Sequence, residues 1–528
     1  MTNRIRLNEE NRRWWTLGAM CFALFMIMLD NTVVNVALPS IQDDLDSTLS
    51  GLEWTVNAYT LTFAVLLVTG GRLGDIFGRR LVFLCGVVVF ALSSAAIGFA
   101  PTQGWLVAGR AVQGAGAAFM MPGTLSIISN AFPPEERGKA IGTWAGVSAV
   151  ALAIGPVVGG ALAEYVSWRA IFFLNLPVAA GAVAVTLFAT RESRDETVSR
   201  AVDWAGIATL SLGLTALVVA LVEGNAWGWG SPGVLALFAA AAAGLVAFAL
   251  LEPRVRAPMV DFAFFRSSTF LGSSMVAFVV TFAMLAVFFF TALYMQNFLH
   301  YSALEAGVRF LPATALIIVT APIAGRLADT VGPRRLMVTG LLFVAAALYV
   351  QTHISVGSGY DVLLPAFLLL GVGMGLVMSP MSTAAMNAVN PAKAGAASGI
   401  LTMSRMVGGT FGVAAFGALF QHLTSGRLEE TLAGTGVTAA QRERIVENIG
   451  SGTGGQGIPG LDPGAAGQVG AAVEEAFIHA LSSGMWLGTG VALLGAAIAV
   501  LTIRDGVAQT EPQAPERRAA PETEPVGV

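Results

Sequence analysis

Long apolar runs, most of them about twenty residues, constrain this chain more than any other feature of its sequence. A helix of about 20 residues crosses the roughly 30 Å hydrocarbon core of a bilayer. Only 12% of the residues are charged and 55% are hydrophobic, and the charged share is about half that of an average soluble domain. We therefore predict an all-α polytopic membrane protein that lies in the lipid bilayer.

Breaks at Gly, Pro and charged residues divide the apolar runs into fourteen predicted spans. Arginine is concentrated in every second loop and at both termini, so the positive-inside rule predicts cytoplasmic termini in a multi-pass protein of the plasma (inner) membrane. The predicted limits of the spans are 14–38, 52–70, 81–100, 104–129, 138–163, 168–190, 203–223, 232–251, 268–296, 304–325, 334–352, 361–388, 395–420 and 484–503.

A short basic segment, Gly71–Arg80, returns in a decayed copy at Gly325–Arg335. Such a repeat indicates a duplicated chain, but the 254 residues between Gly71 and Gly325 exceed the roughly 180–200 that six helices need. Two helices are therefore predicted to be inserted between two six-helix bundles. The predicted regions are a cytoplasmic tail (1–13), the N-terminal bundle (14–190), a linker with the inserted helices (191–267), the C-terminal bundle (268–503) with a long extracellular loop (421–483), and a disordered cytoplasmic tail (504–528).

Ionisable residues within spans are costly, so each one is a hypothesis about function. Asp30 in span one and Arg110 in span four have opposite charges at similar depth, about 12 Å and 8 Å from the outer face. We expect them to face the same cavity and to interact directly or through water. Burial and a nearby cation shift a carboxyl pKa in opposite directions, which suits proton exchange; a static ion pair is the alternative.

Further residues are candidates for lining a substrate cavity. Asn31, Asn35 and Gln113 add polar groups near the predicted pair. Phe289 and Tyr294 in span nine suit a hydrophobic ligand, or are lipid-facing or packing side chains. For Arg405 in span thirteen we consider four roles: contact with cargo, a part in gating, interaction with Asp30 across the cavity, or extension towards the cytoplasmic surface. The sequence offers no metal-ligand spacing and no cofactor loop, so we expect no metal, no cofactor and no catalytic residues.

Span five carries a run of small residues that allows close helix packing, and its Gly-Pro step lets the helix bend. The members of this motif are Gly146, Gly155, Pro156, Gly159 and Gly160.

In these motifs the chain resembles a known family, the fourteen-helix drug:proton antiporters of the major facilitator superfamily. Gly71–Arg80 is similar to the superfamily's motif between spans two and three, Arg110–Gly116 to its span-four motif, and Gly146–Gly160 to the antiporter motif. Leu29–Pro39 resembles the span-one signature of the fourteen-helix exporters. Trp168–Arg169 and Asn175–Pro177 also fit this group.

The resemblance implies a major facilitator fold and a role for each motif. Asp30 and Arg110 would couple transport to protons, and the span-five motif would favour export over uptake. The segment between spans two and three would be a latch that joins the two halves on the cytoplasmic side. Its members are Gly71, Asp75, Gly78, Arg79 and Arg80.

Together these observations predict a secondary active exporter, not an enzyme, that moves hydrophobic small molecules such as antibiotics in exchange for protons. Protons are the coupling ion, no nucleic acid is involved, and we expect a monomer. A proton-coupled importer on the same fold and a non-transporting scaffold or receptor are the alternatives. The antiporter motif argues against the importer, and a scaffold needs no buried Asp30–Arg110 pair.

Overall fold

The computed structural model describes residues 9–47, 49–194, 201–255, 258–301, 303–431 and 463–504. These residues form fourteen long α-helices with short 3₁₀ turns and no strand. The helices are α1 (Glu9–Leu45), α2 (Leu49–Phe77), α3 (Arg79–Gly98), α4 (Gln103–Ala131), α5 (Pro134–Tyr165), α6 (Trp168–Ala189), α7 (Trp204–Trp227), α8 (Pro232–Leu251), α9 (Ser268–Asn297), α10 (Ala303–Val331), α11 (Pro333–Gln351), α12 (Tyr360–Asn387), α13 (Ala394–Thr431) and α14 (Pro463–Thr502).

Each predicted span coincides with one of these helices. Within the described part of the chain, thirteen helices are long and apolar enough to cross a membrane. The remaining long helix, α5, is outside that set, and several of its side chains lie outside the described residues. The all-helical membrane fold that the sequence predicts is confirmed.

The last two helices are longer than predicted. The sequence predicts a loop at 421–483, but α13 continues to Thr431 and α14 begins at Pro463. Arg427 and Glu475 form a salt bridge of 2.9 Å between these extensions, which helps to hold them together beyond the apolar core. The part of the predicted loop from 432 to 462 and the tail from 505 onward lie outside the described residues.

The helix contacts define two groups and the seams between them. In the first group α1 packs on α5 and α6, and α4 packs on α2 and α3; in the second, α9 packs on α13 and α14, and α12 packs on α10 and α11. The groups meet where α5 packs on α10 and where α2 packs on α13. The inserted helix α7 contacts α8, α2 and α13, so it lies beside the second seam.

Matching glycines end the second helix of each repeat. Gly78 has φ 120° and Gly332 has φ 94°, a backbone region in which other residues are strained. Each glycine directly precedes the next helix, α3 or α11. The two copies of the repeated segment therefore make the same tight turn.

Candidate functional site

Asp30 lies at the centre of a buried polar cluster inside the N-terminal helices. Its Oδ2 atom is 2.5 Å from Nη1 of Arg110, and its Oδ1 atom accepts a hydrogen bond of 3.0 Å from Nε2 of Gln113. Arg110 and Gln113 are three residues apart on α4, so both side chains leave the same face of the helix. The predicted interaction between Asp30 and Arg110 is therefore a direct one.

Two further side chains, which the sequence analysis did not place in the site, complete this cluster. Asn175 on α6 donates from Nδ2 to Oδ1 of Asp30 and to Oγ of Ser94, each at 3.0 Å. Ser94 on α3 donates in turn to the carbonyl oxygen of Phe172 at 2.9 Å. The signal that could have identified both residues is a polar side chain within an apolar run.

Arg110 has contacts besides the carboxylate. Its Nε atom donates to the carbonyl oxygen of Thr55 at 3.1 Å, and Nη1 donates to Oε1 of Gln113 at 2.7 Å. The guanidinium carbon lies 4.2 Å from the centre of the Tyr59 ring, a cation–π geometry. Arg110 therefore keeps several partners when Asp30 loses its charge.

The position of the pair differs from the expectation that it faces a cavity. Asp30 and Arg110 are each 1% exposed and Gln113 is fully buried, so the cluster is enclosed. The physical reason is that Ser94 and Asn175, on α3 and α6, supply polar partners from behind the pair. Water therefore reaches Asp30 only when the packing of α1, α3, α4 and α6 opens.

The glycines of the antiporter motif place α5 directly against the segment of α1 that carries Asp30. A Cβ atom on Gly155 would lie 1.8 Å from Oγ1 of Thr32, and one on Gly159 would lie 3.0 Å from the backbone of Val33. On the same helix, Gly146 lies close to Pro322 of α10, at the seam between the two groups. Gly160 is partly buried, and the side chain of Pro156 lies outside the described residues.

The last turn of α2 and the first residue of α3 bind the start of α13. Asp75 accepts hydrogen bonds from the backbone N–H groups of Gly395 at 2.9 Å and Ala396 at 2.7 Å. Arg79 forms a salt bridge of 2.6 Å with Asp75 and donates from Nη2 to the carbonyl oxygens of Pro391 and Ala392. A carboxylate at a helix N-terminus is favoured by the helix dipole and by the free N–H groups.

The decayed copy of this segment makes the corresponding contact in the opposite direction. Asp329, which is the counterpart of Asp75, accepts a hydrogen bond of 3.2 Å from the backbone N–H of Gly138, the fifth residue of α5. Pro333 stands where the first copy has Arg79, and proline has no side-chain donor. The sequence analysis did not include Asp329 in the latch, although its alignment with Asp75 was the available signal.

Arg80 has a partner within its own half. Oε1 and Oε2 of Glu192, just beyond α6, accept hydrogen bonds from the backbone N–H groups of Arg80 and Leu81 at 2.9 and 3.1 Å. The side chain of Arg80 donates to the carbonyl oxygen of Leu187. Of the predicted latch, Asp75 and Arg79 therefore reach the other half, whereas Arg80 fastens α3 to the end of α6.

Comparison with known proteins identifies the family to which this architecture belongs. The family model of the Major Facilitator Superfamily matches residues 20–413. The chain belongs to the Major Facilitator Superfamily. It is 34% identical over 517 residues to the tetracenomycin C resistance and export protein of Streptomyces glaucescens, covering 97% of this chain and 95% of that protein. It is 38% identical over 438 residues to a puromycin resistance protein of Streptomyces alboniger, covering 82% and 86%.

A solved structure has the same fold. The crystal structure of the human organic anion transporter MFSD10 (TETRAN) aligns with a TM-score of 0.57 and covers 92% of this chain and 100% of that one. At 14% sequence identity this likeness concerns the fold alone. Membership of the superfamily makes the chain a multi-pass membrane transporter rather than an enzyme.

Of the remaining cavity candidates of this superfamily member, Tyr294 and Arg405 belong to the second group of helices, apart from the Asp30 cluster. Tyr294 is 1% exposed and donates to the carbonyl oxygen of Ser358 at 2.8 Å, so it belongs to the packed interior of the second group. Arg405 is partly buried on α13, and its carbonyl oxygen accepts a hydrogen bond from Thr281 of α9. Asn31 is partly buried, whereas the side chains of Asn35 and Phe289 lie outside the described residues.

Proposed function

We propose that this protein is a proton-driven exporter that exchanges protons for hydrophobic small molecules by alternating access. The observation that carries the proposal is the enclosed Asp30–Arg110 pair, since a buried carboxylate with one cationic partner changes its contacts when it binds a proton. The names of the relatives support the direction of transport, because they describe antibiotic resistance and export.

The coupling follows from which bonds a proton on Asp30 weakens. Protonation neutralises the carboxylate, so its charge-assisted bond to Arg110 is lost and its bonds from Gln113 and Asn175 become weaker. Arg110 then keeps its hydrogen bonds to Thr55 and Gln113 and its cation–π contact with Tyr59, whereas the binding of α1 to α4 is weaker. Loading of a proton at Asp30 thereby loosens a buried polar cluster that ties α1 to α4 and α6.

A change at α1 has a direct route to the seam between the two halves. Gly155 and Gly159 of α5 pack on α1 just after Asp30, and the other end of α5 packs on α10. A shift of α1 therefore moves a helix that belongs to the seam. Rocking of the two halves about a central cavity is the transport cycle we propose.

We further propose that the latch holds the cytoplasmic side closed, with both termini on that side. The basic groups support this orientation, because Arg13, Arg79 and Lys393 all lie at the end of the molecule where α2 meets α13 and α1 meets α5. Positively charged loops remain in the cytoplasm. With this end closed, access to the cavity is from the outside.

Arg405 narrows the chemical class of the cargo. It carries a positive charge on a membrane-spanning helix, and no acidic side chain among the described residues forms a salt bridge with it. A cation in a cavity repels cationic ligands and attracts neutral or anionic ones. We propose hydrophobic cargo with a hydrogen-bond acceptor or an acidic group rather than dicationic cargo.

The function can be tested by expressing the protein in a host that lacks its own efflux pumps. Accumulation of a panel of antibiotics is measured with and without a protonophore, against cells that carry the empty vector. We expect lower accumulation of hydrophobic neutral or acidic compounds, and the protonophore should abolish the difference. Equal accumulation in both strains across the panel would contradict export, and higher accumulation would favour an importer.

A further inference from the structure

Two buried carboxyl groups meet at the base of the inserted helices, away from the Asp30 cluster. Asp203 precedes α7 and accepts a hydrogen bond from the backbone N–H of Gly206 at 2.8 Å through Oδ1. Glu252 follows α8 and accepts from the backbone N–H of Val260 at 2.6 Å through Oε1. Asp203 is 9% exposed and Glu252 is 0% exposed. The second oxygens, Oδ2 of Asp203 and Oε2 of Glu252, accept no hydrogen bond from an N–H or O–H group among the described residues.

These two second oxygens lie close together. A Cβ atom built on Gly206 would lie 2.4 Å from Oδ2 of Asp203 and 2.7 Å from Oε2 of Glu252, so both oxygens are near the same point. The side chains of Asp203 and Glu252 are within hydrogen-bond distance of each other. A hydrogen bond between two carboxyl groups requires a proton on one of them, because two ionised groups at this separation repel strongly.

A small, mainly apolar cavity adjoins Asp203. It lies between α2 and α7, and Thr69, Arg72 and Asp203 are the polar residues at its edge. Oγ1 of Thr69 and Nε of Arg72 are buried and make no hydrogen bond within the described part of the chain. Arg72 therefore places its positive charge across this cavity from Asp203.

We propose that Asp203 and Glu252 share one proton and form a second proton-binding site of this transporter. The site lies at the base of the inserted helices, across the small cavity from Arg72 of α2, which is three residues before the latch carboxylate Asp75. It stands on its own contacts and does not depend on the proposed transport cycle.

The charged groups around the site connect it to the latch. Arg72 faces it from α2, and Arg254 is exposed on the turn that contains Glu252. In the linker, Asp261 follows Val260 directly and forms a salt bridge of 2.5 Å with Lys393, immediately before α13. Loss of the shared proton would place a second negative charge at Glu252 and Asp203, and this repulsion would loosen the linker that contacts the first turn of α13.

The proposal is tested with Glu252→Gln and Asp203→Asn in the purified full-length protein. The side-chain amide of Gln or Asn donates an N–H to the opposite carboxyl group, so each variant keeps the contact without needing a proton. Asn at position 203 also keeps the side-chain oxygen that accepts from the backbone N–H of Gly206 at the start of α7. The thermal unfolding midpoint of the wild type should fall by a few degrees as the pH is raised from about 5 to about 8, above the ordinary range of carboxyl groups. In both variants the unfolding midpoint should change less over the same pH range.

Glu164→Gln is the matched control, because Glu164 is exposed near the end of α5, and its unfolding profile should follow that of the wild type. Infrared difference spectra provide an independent readout. The wild type minus Glu252→Gln spectrum at neutral pH should contain the carbonyl stretch of a protonated carboxyl group. The proposal is overturned if this band is missing and both variants follow the wild-type pH profile.

Discussion

At the scale of single residues, Asp30 and Arg110 form a charge pair that is buried away from water. Asp30 and Arg110 are stable in the membrane interior because Gln113, Asn175 and Thr55 satisfy their remaining hydrogen-bonding groups. The pair itself could be predicted, because two opposite charges in apolar runs at similar depth are rare. Its enclosure could not, since the sequence does not state which faces of α3 and α6 turn towards α1.

Removal of Arg110 should be more damaging than removal of both charges. Arg110→Met leaves the carboxylate of Asp30 buried without a cation, at a cost of about 3–5 kcal/mol, whereas Arg110→Met with Asp30→Asn leaves only neutral groups. We expect the double variant to recover much of the thermal stability that the single variant loses. The check is the unfolding midpoint of the purified variants, compared as a double-mutant cycle.

Arg110→Lys is the companion variant. Lysine keeps the charge but lacks the planar fork that joins Asp30, Gln113 and Thr55, so an intermediate stability is expected. Additive losses from Asp30→Asn and Arg110→Met, without any recovery in the double variant, would show that the two side chains do not interact.

At the scale of helices, much of the fold could be predicted from the apolar runs and from the glycines at which helices end. Gly78 and Gly332 end the second helix of each repeat, as their place in the repeated segment suggests. The extensions of α13 and α14 were missed because a Gly- and Ala-rich segment with scattered charges lacks the hydropathy of a span. Contacts such as Arg427 with Glu475 are tertiary, and no local pattern reports them.

The linker after α8 should be fastened to the start of α13 by the salt bridge between Asp261 and Lys393. Burial alone would raise the pKa of Asp261, but hydrogen bonds from Lys393 and the backbone of Ala263, with Arg72 nearby, leave its pKa lowered. The bridge therefore contributes stability at neutral pH, and this stability is lost as the pH falls through the lowered pKa. A partly exposed pair of this kind is worth up to about 1 kcal/mol.

Asp261→Asn and Lys393→Met should each lower the unfolding midpoint slightly at neutral pH, and their combination should lower it no further. The difference between wild type and Asp261→Asn should shrink in acid. Asp43→Asn, at an exposed position on the opposite end of α1, is the control. If the two single losses simply add, the salt bridge does not contribute to stability.

At the scale of the whole molecule, the two halves touch through paired glycines at the first positions of the repeated segments. A Cβ atom on Gly71 would lie 2.2 Å from the carbonyl oxygen of Gly395, and one on Gly325 would lie 2.1 Å from that of Gly138. Each segment also binds a backbone N–H near the start of a helix of the opposite half, through Asp75 or Asp329. The sequence predicts the duplication, but the reciprocity of these contacts appears only once the halves are packed together.

Gly325→Val should prevent this closure, because the added methyl groups meet backbone atoms that cannot move aside. The closed seam also buries Ser379 completely. We expect a Ser379→Cys reporter, in a chain lacking its native cysteines, to react faster with a water-soluble maleimide when Gly325→Val is present. Export should fall at least about tenfold if closure is the step that is lost, which corresponds to about 1.4 kcal/mol.

Gly490→Val is the matched control, since a Cβ atom on Gly490 meets nothing within 4 Å. It should leave both labelling and export unchanged. Unchanged labelling of the reporter in the Gly325→Val variant would mean that the α5–α10 seam tolerates the substitution and does not govern closure.

The central claim is that Asp30 carries the proton that drives export, and proteoliposomes loaded with an identified cargo test it most directly. Wild-type protein should move cargo against its concentration gradient when a pH gradient is imposed. Asp30→Asn keeps the hydrogen-bonding shape of the cluster but cannot bind and release a proton at that site. We predict that this variant still equilibrates cargo down its gradient and loses pH-driven accumulation. Accumulation at the wild-type level by Asp30→Asn under the same gradient would contradict the account.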